Sequence, residues 1–239
     1  MIKVANQFEE TYLALRRKEG RVYSDEEVRS LPTIDTSHPH FAEWRIRKDS
    51  CDKLTRYLSK KNQNLKVLEV GCGNGWLCSQ LSRIEKSKVT GLDINKTELL
   101  QAQRIFGNID NLEFLMGGIG DERIQSRKFD IIIFAACIQY FPSFDEIISS
   151  CLQMLNANGE IHILDSHFYS YSEKAAARDR SEEYFESMGF SEMNQHYFHH
   201  EVQQLEKYNF KILYHSSWIR RIFSRDKNPF PWICIMRRN

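Results

Sequence analysis

Proline and glycine are scarce in this chain, at 5 and 11 of 239 residues. That excludes a collagen-like chain and leaves no Pro- or Gly-rich linker between separate domains. Net charge is almost absent, with 33 basic against 32 acidic side chains. No molecule-wide field therefore draws the chain to nucleic acid. No apolar run approaches the roughly 20 residues that span a bilayer. Met1-Ile2-Lys3-Val4-Ala5-Asn6-Gln7 lacks the apolar stretch of a signal peptide. Cys51, Cys72, Cys78, Cys137, Cys151 and Cys234 include no C-x-x-C pair, so neither a disulfide framework nor a zinc site is expected. These absences predict a reduced, cytoplasmic protein with no metal, no membrane contact and no nucleic-acid partner. The length suits one α/β domain with an appended cap.

What is present is an alternation of periods. The first 60 residues read as helix: Phe8, Tyr12 and Leu15 share a face, and Phe41, Trp44, Cys51, Leu54 and Leu58 recur at helical spacing. Ser24, with Glu27 three residues on, forms a capping box for a short helix that stops before Pro32. From Leu65 strands are predicted at 66–70, 88–93, 112–116, 130–135 and 160–165, and helices at 76–84, 96–106 and 144–155. Val67-Leu68-Glu69-Val70 and Ile131-Ile132-Ile133-Phe134 are apolar without alternation, as parallel strands covered on both faces require. Right-handed crossovers then give a doubly wound α/β sheet. Asn158-Gly159 is expected to end the helix before the fifth strand. Farther on, helices are predicted at 173–188, closed by Gly189, and at 199–207. Strands at 210–216 and 231–237 have no helix between them and should pair antiparallel.

The first strand runs into Gly71-Cys72-Gly73-Asn74-Gly75-Trp76, and the second ends on Asp93. A strand, a turn too tight for side chains and an acid on the next strand make a pocket for a nucleoside-bearing ligand. The spacing is G-x-G-x-G. A dinucleotide fold needs a small third residue where Trp76 stands, so a nicotinamide-dependent dehydrogenase is disfavoured. Glu69, two residues before the first glycine, suits an ammonium-bearing ligand better than a diphosphate.

Together these residues resemble the first motif of the class I S-adenosylmethionine (SAM)-dependent methyltransferases, [E/D]-x-G-x-G-x-G. The resemblance covers roughly residues 45–239. It implies a seven-stranded, mostly parallel sheet whose last strand is antiparallel and inserted beside the fifth. Residues 1–60 become a helical N-terminal cap or lid, and 61–239 a SAM-binding domain with an insertion at about 166–198. It also implies that Gly71, Cys72, Gly73 and Asn74 cradle the methionine part of SAM, with Gly75 in the same cofactor-binding bend. Glu69 faces its amino group, Asp93 takes both ribose hydroxyls and Ile94 packs on adenine. A carboxylate's two acceptor oxygens match a vicinal diol, which favours that role for Asp93 over capping the next helix, for which Asn95 is the rival. Adenine is contacted either through the backbone at Gly118 and Ile119 or by Asp121, and both readings stand. Ala135, Ala136 and Cys137 leave room for the sulfonium end. Cys137 reads as a core thiol and not as a nucleophile.

In-line methyl transfer requires alignment and exclusion of water more than a fixed dyad. Candidates for a base or acceptor contact are Asp165 and His167 after the fifth strand, Gln139 and Tyr140 after the fourth, and His38 or His40 in the cap. Each has a plain structural alternative, as does the basic run at Arg17, Lys18 and Arg21. Asn228-Pro229-Phe230-Pro231-Trp232 has a superficial likeness to the N-P-P-[YF] motif of amino-methylating nucleic-acid enzymes. It stands before the last strand instead of after the fourth, so it reads as a turn. The basic cluster Arg220, Arg221, Arg225 and Lys227 reads as a solvated loop. The expected activity is methylation of a small-molecule or metabolite acceptor, leaving S-adenosylhomocysteine (SAH). A protein or RNA methyltransferase and a non-catalytic SAM- or nucleotide-binding module are the alternatives. The acceptor, the accepting atom and the oligomeric state are not legible.

Overall fold

The computed structural model of the chain describes residues 2–214 and 228–237, with side chains from Phe8 onward. Seven strands form one sheet: β1 Leu65–Val70, β2 Ser87–Asp93, β3 Leu112–Met116, β4 Phe129–Ala135, β5 Leu155–Leu164, β6 Asn209–Tyr214 and β7 Trp232–Met236, in the order β3-β2-β1-β4-β5-β7-β6. Strands β1 to β5 pair parallel, and β7 runs antiparallel between β5 and β6. The order reverses direction between β1 and β4. The carboxyl ends of these two strands therefore diverge into a crevice, the usual ligand position in an open α/β sheet.

The described residues form eight α-helices: α1 Ile2–Lys18, α2 Asp25–Ser30, α3 Phe41–Ser59, α4 Trp76–Leu81, α5 Lys96–Phe106, α6 Glu122–Gln125, α7 Phe144–Met154 and α8 Tyr171–Ser187. The apolar runs of β1 and β4 face both ways. Val67, Ile131 and Ile133 join one core with α2, α3, α4 and α5, whereas Leu68, Val70, Ile132 and Phe134 join another with α6 and α7. Trp44, Cys51, Leu54 and Leu58 of α3 belong to the first core, so the N-terminal helices share the apolar interior of the sheet. The α2 capping box is present, with Glu27 N donating to Ser24 Oγ at 3.3 Å and Ser24 N donating to Glu27 Oε2 at 2.6 Å.

Three local expectations change. Asn158-Gly159 does not close a helix: α7 ends at Met154, and Asn158-Gly159 lies within β5. There the register passes from Phe129↔Leu155 to Ile131↔Glu160, an irregularity that absorbs extra residues on β5. Residues 199–207 are not an α-helix. Tyr169 bridges Glu201, and only Val202–Lys207 coils, as a 3-10 turn. Helix α8 begins two residues earlier than expected because Ser170 and Glu173 form a second capping box. Gly189, at φ 71°, follows it as expected. The end of the predicted 210–216 strand and the cluster Arg220, Arg221, Arg225 and Lys227 lie outside the described residues.

Candidate active site

The bend after β1 is held against the end of β2. Gly71 N and Cys72 N both donate to Leu92 O, at 2.8 and 3.2 Å, and Gly73 N donates to Asp93 Oδ2 at 2.6 Å. Gly71, at φ 71°, has no room for a Cβ, which would stand 2.9 Å from Cys137 Cβ. Gly73, at φ 51°, is different: a Cβ there would reach nothing nearer than the Glu98 carboxyl at 3.6 Å. Gly75 has a packing role. It does not line the cavity described next, and its Cβ would lie 2.7 Å from the Phe114 ring. At Gly75 the missing side chain lets α4 pack closely on β3 and α5.

A cavity of about 610 Å³ opens over this bend. It brings together Glu69, Gly71, Cys72, Gly73 and Asn74 from the first turn, and Asp93 and Ile94 from the second. Gly118 and Ile119 come from the turn after β3, and Ala135, Ala136 and Cys137 from the turn after β4. Ala136 adopts φ 55° and donates its N–H to Leu164 O at 3.0 Å, so a small side chain stands where the backbone is left-handed. Asp121 lies outside the cavity. It caps α6, accepting from Arg123 N at 2.9 Å and pairing with the Arg123 guanidinium. These bonds hold its carboxyl down at about 2. Of the two sequence readings near adenine, the cavity contains the Gly118–Ile119 backbone.

Glu69 is 3% exposed and accepts a hydrogen bond from Cys78 Sγ at 2.8 Å. Burial pushes its carboxyl up to about 8, and the charge of Asp93 adds to that. Asp93 is raised too, chiefly by burial, although Asn95 N donates to its Oδ1 at 2.7 Å. Asn95 is the N-cap of α5, accepting from Glu98 N at 3.1 Å, which leaves Asp93 free of that duty. Asp93 itself lines the cavity, and a carboxylate oxygen can accept more than one hydrogen bond. Glu98, one turn into α5, also lines the cavity and is raised to about 7, first by burial and then by Asp93. Cys137 donates to Val70 O at 2.9 Å, and burial lifts its thiol well above the ordinary range, so it holds backbone and is no nucleophile.

The N-terminal helices close the other side. Phe8 and Tyr12 of α1 meet Tyr140 edge-on, with ring centroids 5.9 and 5.7 Å away. Arg16 donates to the Tyr140 hydroxyl at 2.9 Å. Trp44 of α3 stacks edge-on against Trp76, and its indole N–H donates to Tyr23 Oη at 2.8 Å. Glu43 bridges Arg21 and Arg47, all three lining the cavity.

Of the acceptor-side candidates only Tyr140 lines this cavity. Asp165 is turned away and accepts from Ser50 Oγ at 2.5 Å. His167 and Gln139 line a neighbouring crevice between α1 and α8, and His167 packs on Phe230. His40 Nε2 bonds Glu19 O at 2.9 Å, and His38 Nδ1 accepts from His40 N, so both stay in the cap loop. Asn228 is tied to Ser50 Oγ at 2.8 Å and precedes β7, as a turn should. Sequence reasoning missed Glu98, Arg47, Glu43 and Arg16. The i,i+4 spacing of Glu43 and Arg47 was the available signal.

Away from this cavity Glu160, His162 and Cys234 place ligand-type atoms within 4.8 Å of one another. Their bonding fits a hydrogen-bond cluster instead of a metal centre. Trp232 Nε1 can only donate and does so to His162 Nδ1 at 3.0 Å. The neutral ring then carries its proton on Nε2, facing Glu160 Oε2 at 3.1 Å, and has no lone pair left for a metal. Lys61 Nζ already neutralises Glu160 at 2.8 Å.

A family model described as a methyltransferase domain matches residues 61–223. A ubiquinone biosynthesis O-methyltransferase of Nitrosococcus oceani is 32% identical over 99 residues, 40% of this chain and 41% of that protein. A fatty-acid O-methyltransferase of Mycolicibacterium smegmatis is 33% identical over 95 residues, 39% of this chain and 34% of that protein. The chain thus spans less than half the length of these two relatives. Among solved structures, the plantazolicin methyltransferase BpumL in complex with SAH superposes with TM-score 0.58 at 14% identity, covering 99% of this chain and 98% of that one. The magnesium protoporphyrin IX methyltransferase ChlM of Synechocystis PCC 6803 with bound SAH gives TM-score 0.59 at 14% identity, covering 89% and 94%. At these identities the superpositions establish a shared fold.

Proposed function

This chain belongs to the class I SAM-dependent methyltransferases, and from that membership we propose that it moves a methyl group from SAM to a small-molecule acceptor within the 610 Å³ cavity. One observation carries the placement of the donor. Glu69 is a buried carboxyl with no ion pair among the described residues, at the base of a bend whose glycines leave the backbone bare. Such a group is costly unless a ligand completes it. The α-ammonium of a methionine tail is that ligand. Arg47, whose field reaches Glu69, faces the tail's carboxylate from α3. The remaining acceptor sites of Asp93 take the ribose hydroxyls. Ile94 and the backbone of Gly118 and Ile119 enclose the base.

SAM supplies an activated methyl group, so the protein's share of the work is alignment and exclusion of water. Ala135 and Ala136 keep the mouth of β4 open beside the sulfur. The rings of Phe8, Tyr12 and Tyr140 form the opposite wall and shield the line of transfer. Tyr140, with its hydroxyl held by Arg16, is the one sequence-predicted candidate positioned to meet the acceptor. An aromatic wall of this kind suits a small, largely apolar acceptor. His196, from the stretch after β5, adds to this wall and meets Phe8 with ring centroids 5.0 Å apart. We place the enzyme in the cytoplasm on its reduced, buried thiols.

The test is binding followed by turnover. Wild-type protein should bind SAM and SAH by calorimetry and release SAH when a metabolite extract is added, with no release from protein alone. Asp93→Ala should lose both ligands while keeping the circular dichroism of the wild type. Stabilisation by NAD alone, or unchanged SAM affinity in Asp93→Ala, would reject the assignment. Loss of turnover after protease or RNase treatment of the extract would transfer it to a macromolecular acceptor.

A further inference from the structure

Among the acids of this cavity that the proposed function does not use, Glu98 stands apart from Glu9 and Glu43. Its carboxyl lies at the wall beside Gly73, with both oxygens 3.6 Å from the position of a Gly73 Cβ. It has no hydrogen bond and no ion pair among the described residues. The other acids of the cavity are engaged: Glu69 by Cys78, Asp93 by Gly73 N and Asn95 N, Glu43 by Arg21 and Arg47, and Glu9 by Thr97 N at 3.2 Å. Glu98 is half-buried, and its carboxyl is open to whatever occupies the cavity.

Its place in the fold says what that partner is. Sulfur joins the amino-acid tail of the donor to its ribose, so it lies between the tail's site at Gly71 and Glu69 and the sugar's site at Asp93. Gly73 links those two sites by donating its N–H to Asp93, and Glu98 stands over Gly73. We infer that Glu98 is a specificity-determining residue that reads the charge on the donor's sulfur, favouring the sulfonium of SAM over the neutral thioether of SAH. The inference rests on the SAM reading above. Its consequence is release of the product, because SAH keeps the ammonium and ribose contacts but offers Glu98 no charge.

The groups facing Glu98 come from every element around it: Asp93 at the end of β2, Glu9, Tyr12 and Arg16 on α1, Arg47 on α3 and Cys72 in the bend. All are the same for both ligands, as are the ammonium at Glu69 and the ribose at Asp93. The ratio of the two dissociation constants therefore isolates the sulfur's charge. Burial holds the free carboxyl at about 7, so a sulfonium beside it drives the proton off near neutral pH.

The test is calorimetric titration of SAM and of SAH at pH 6 and pH 8, in buffers of different ionisation enthalpy, for wild type and Glu98→Gln. In the wild type, Kd(SAH)/Kd(SAM) should rise roughly five- to tenfold from pH 6 to pH 8, and SAM should release more protons than SAH. Glu98→Gln should flatten that rise and remove the excess protons. Equal proton release by the two ligands in the wild type overturns the inference without recourse to the variant. An unchanged ratio in Glu98→Gln overturns it as well, including when turnover is lost, because that pattern belongs to a base acting on the acceptor. If the wild type binds neither ligand, the SAM reading itself has failed.

Discussion

Two glycines of one turn, two residues apart, should fail in opposite ways when changed to alanine. Gly75 sits at φ 76°, and its Cβ would stand 2.7 Å from two carbons of the Phe114 ring and 2.9 Å from Ala102 Cβ. Carbon atoms rest about 3.5–4.0 Å apart, so three contacts are driven deep into repulsion. Left-handed backbone costs an alanine about 1–2 kcal/mol, and overpacking a filled interior about 1–3 kcal/mol more. Gly75→Ala should therefore lose roughly 3 kcal/mol, about 10 °C in melting temperature for a chain of this size. Gly73 is also left-handed but faces open cavity, with Glu98 3.6 Å away. Gly73→Ala should cost only the backbone term of about 1 kcal/mol while placing a methyl where the donor binds. The assay is urea denaturation with and without saturating SAM, paired with calorimetric Kd values. The expected result is a large loss of midpoint in Gly75→Ala, and a small loss with SAM affinity down at least tenfold in Gly73→Ala. Equal destabilisation by the two substitutions, or a Gly73→Ala protein that binds SAM normally, refutes the division between a packing glycine and a ligand glycine.

Burial raises the Glu69 carboxyl to about 8 in the folded protein, above its unfolded value. The fold therefore favours the protonated form, and stability falls as pH rises from the unfolded pKa toward that raised value. Glu69→Gln removes the ionisation and should stabilise the ligand-free protein at pH 8 by about 1–2 kcal/mol in chemical denaturation while weakening SAM binding. A variant less stable than wild type at pH 8 contradicts this. Asp121→Ala should lower stability by about 1 kcal/mol through loss of the α6 cap and leave the SAM Kd unchanged, and a weakened Kd would restore Asp121 to the adenine site.

Much of this protein was legible along the chain, and the limits fall at identifiable places. Ser24 with Glu27 announced α2, but the same spacing at Ser170 and Glu173 went unread, so α8 was started late. Asn158-Gly159 resembled a helix stop because its composition is that of a terminus; cross-strand pairing with β4 draws it into β5 instead. Glu69 and the glycine bend are visible in the sequence because they lie in consecutive residues, and Asp93 because it ends the next apolar run. Glu98 carries no such signal, because its place beside Gly73 arises only in the fold. Asp165 and His167 follow a strand that ends near the site, yet their side chains turn to Ser50 and Phe230.

The order of apolar runs and turns by itself determined the doubly wound sheet, the glycine bend and the acid opposite it. Those features are set by local backbone preference and by the need to bury both faces of parallel strands. Tertiary structure alone decided which glycine packs and which faces open space, that Asn95 and not Asp93 caps α5, and that α1 brings Phe8, Tyr12 and Arg16 to Tyr140. Side-chain direction, distance and loss of water depend on residues far apart in the chain, and only folding brings these together.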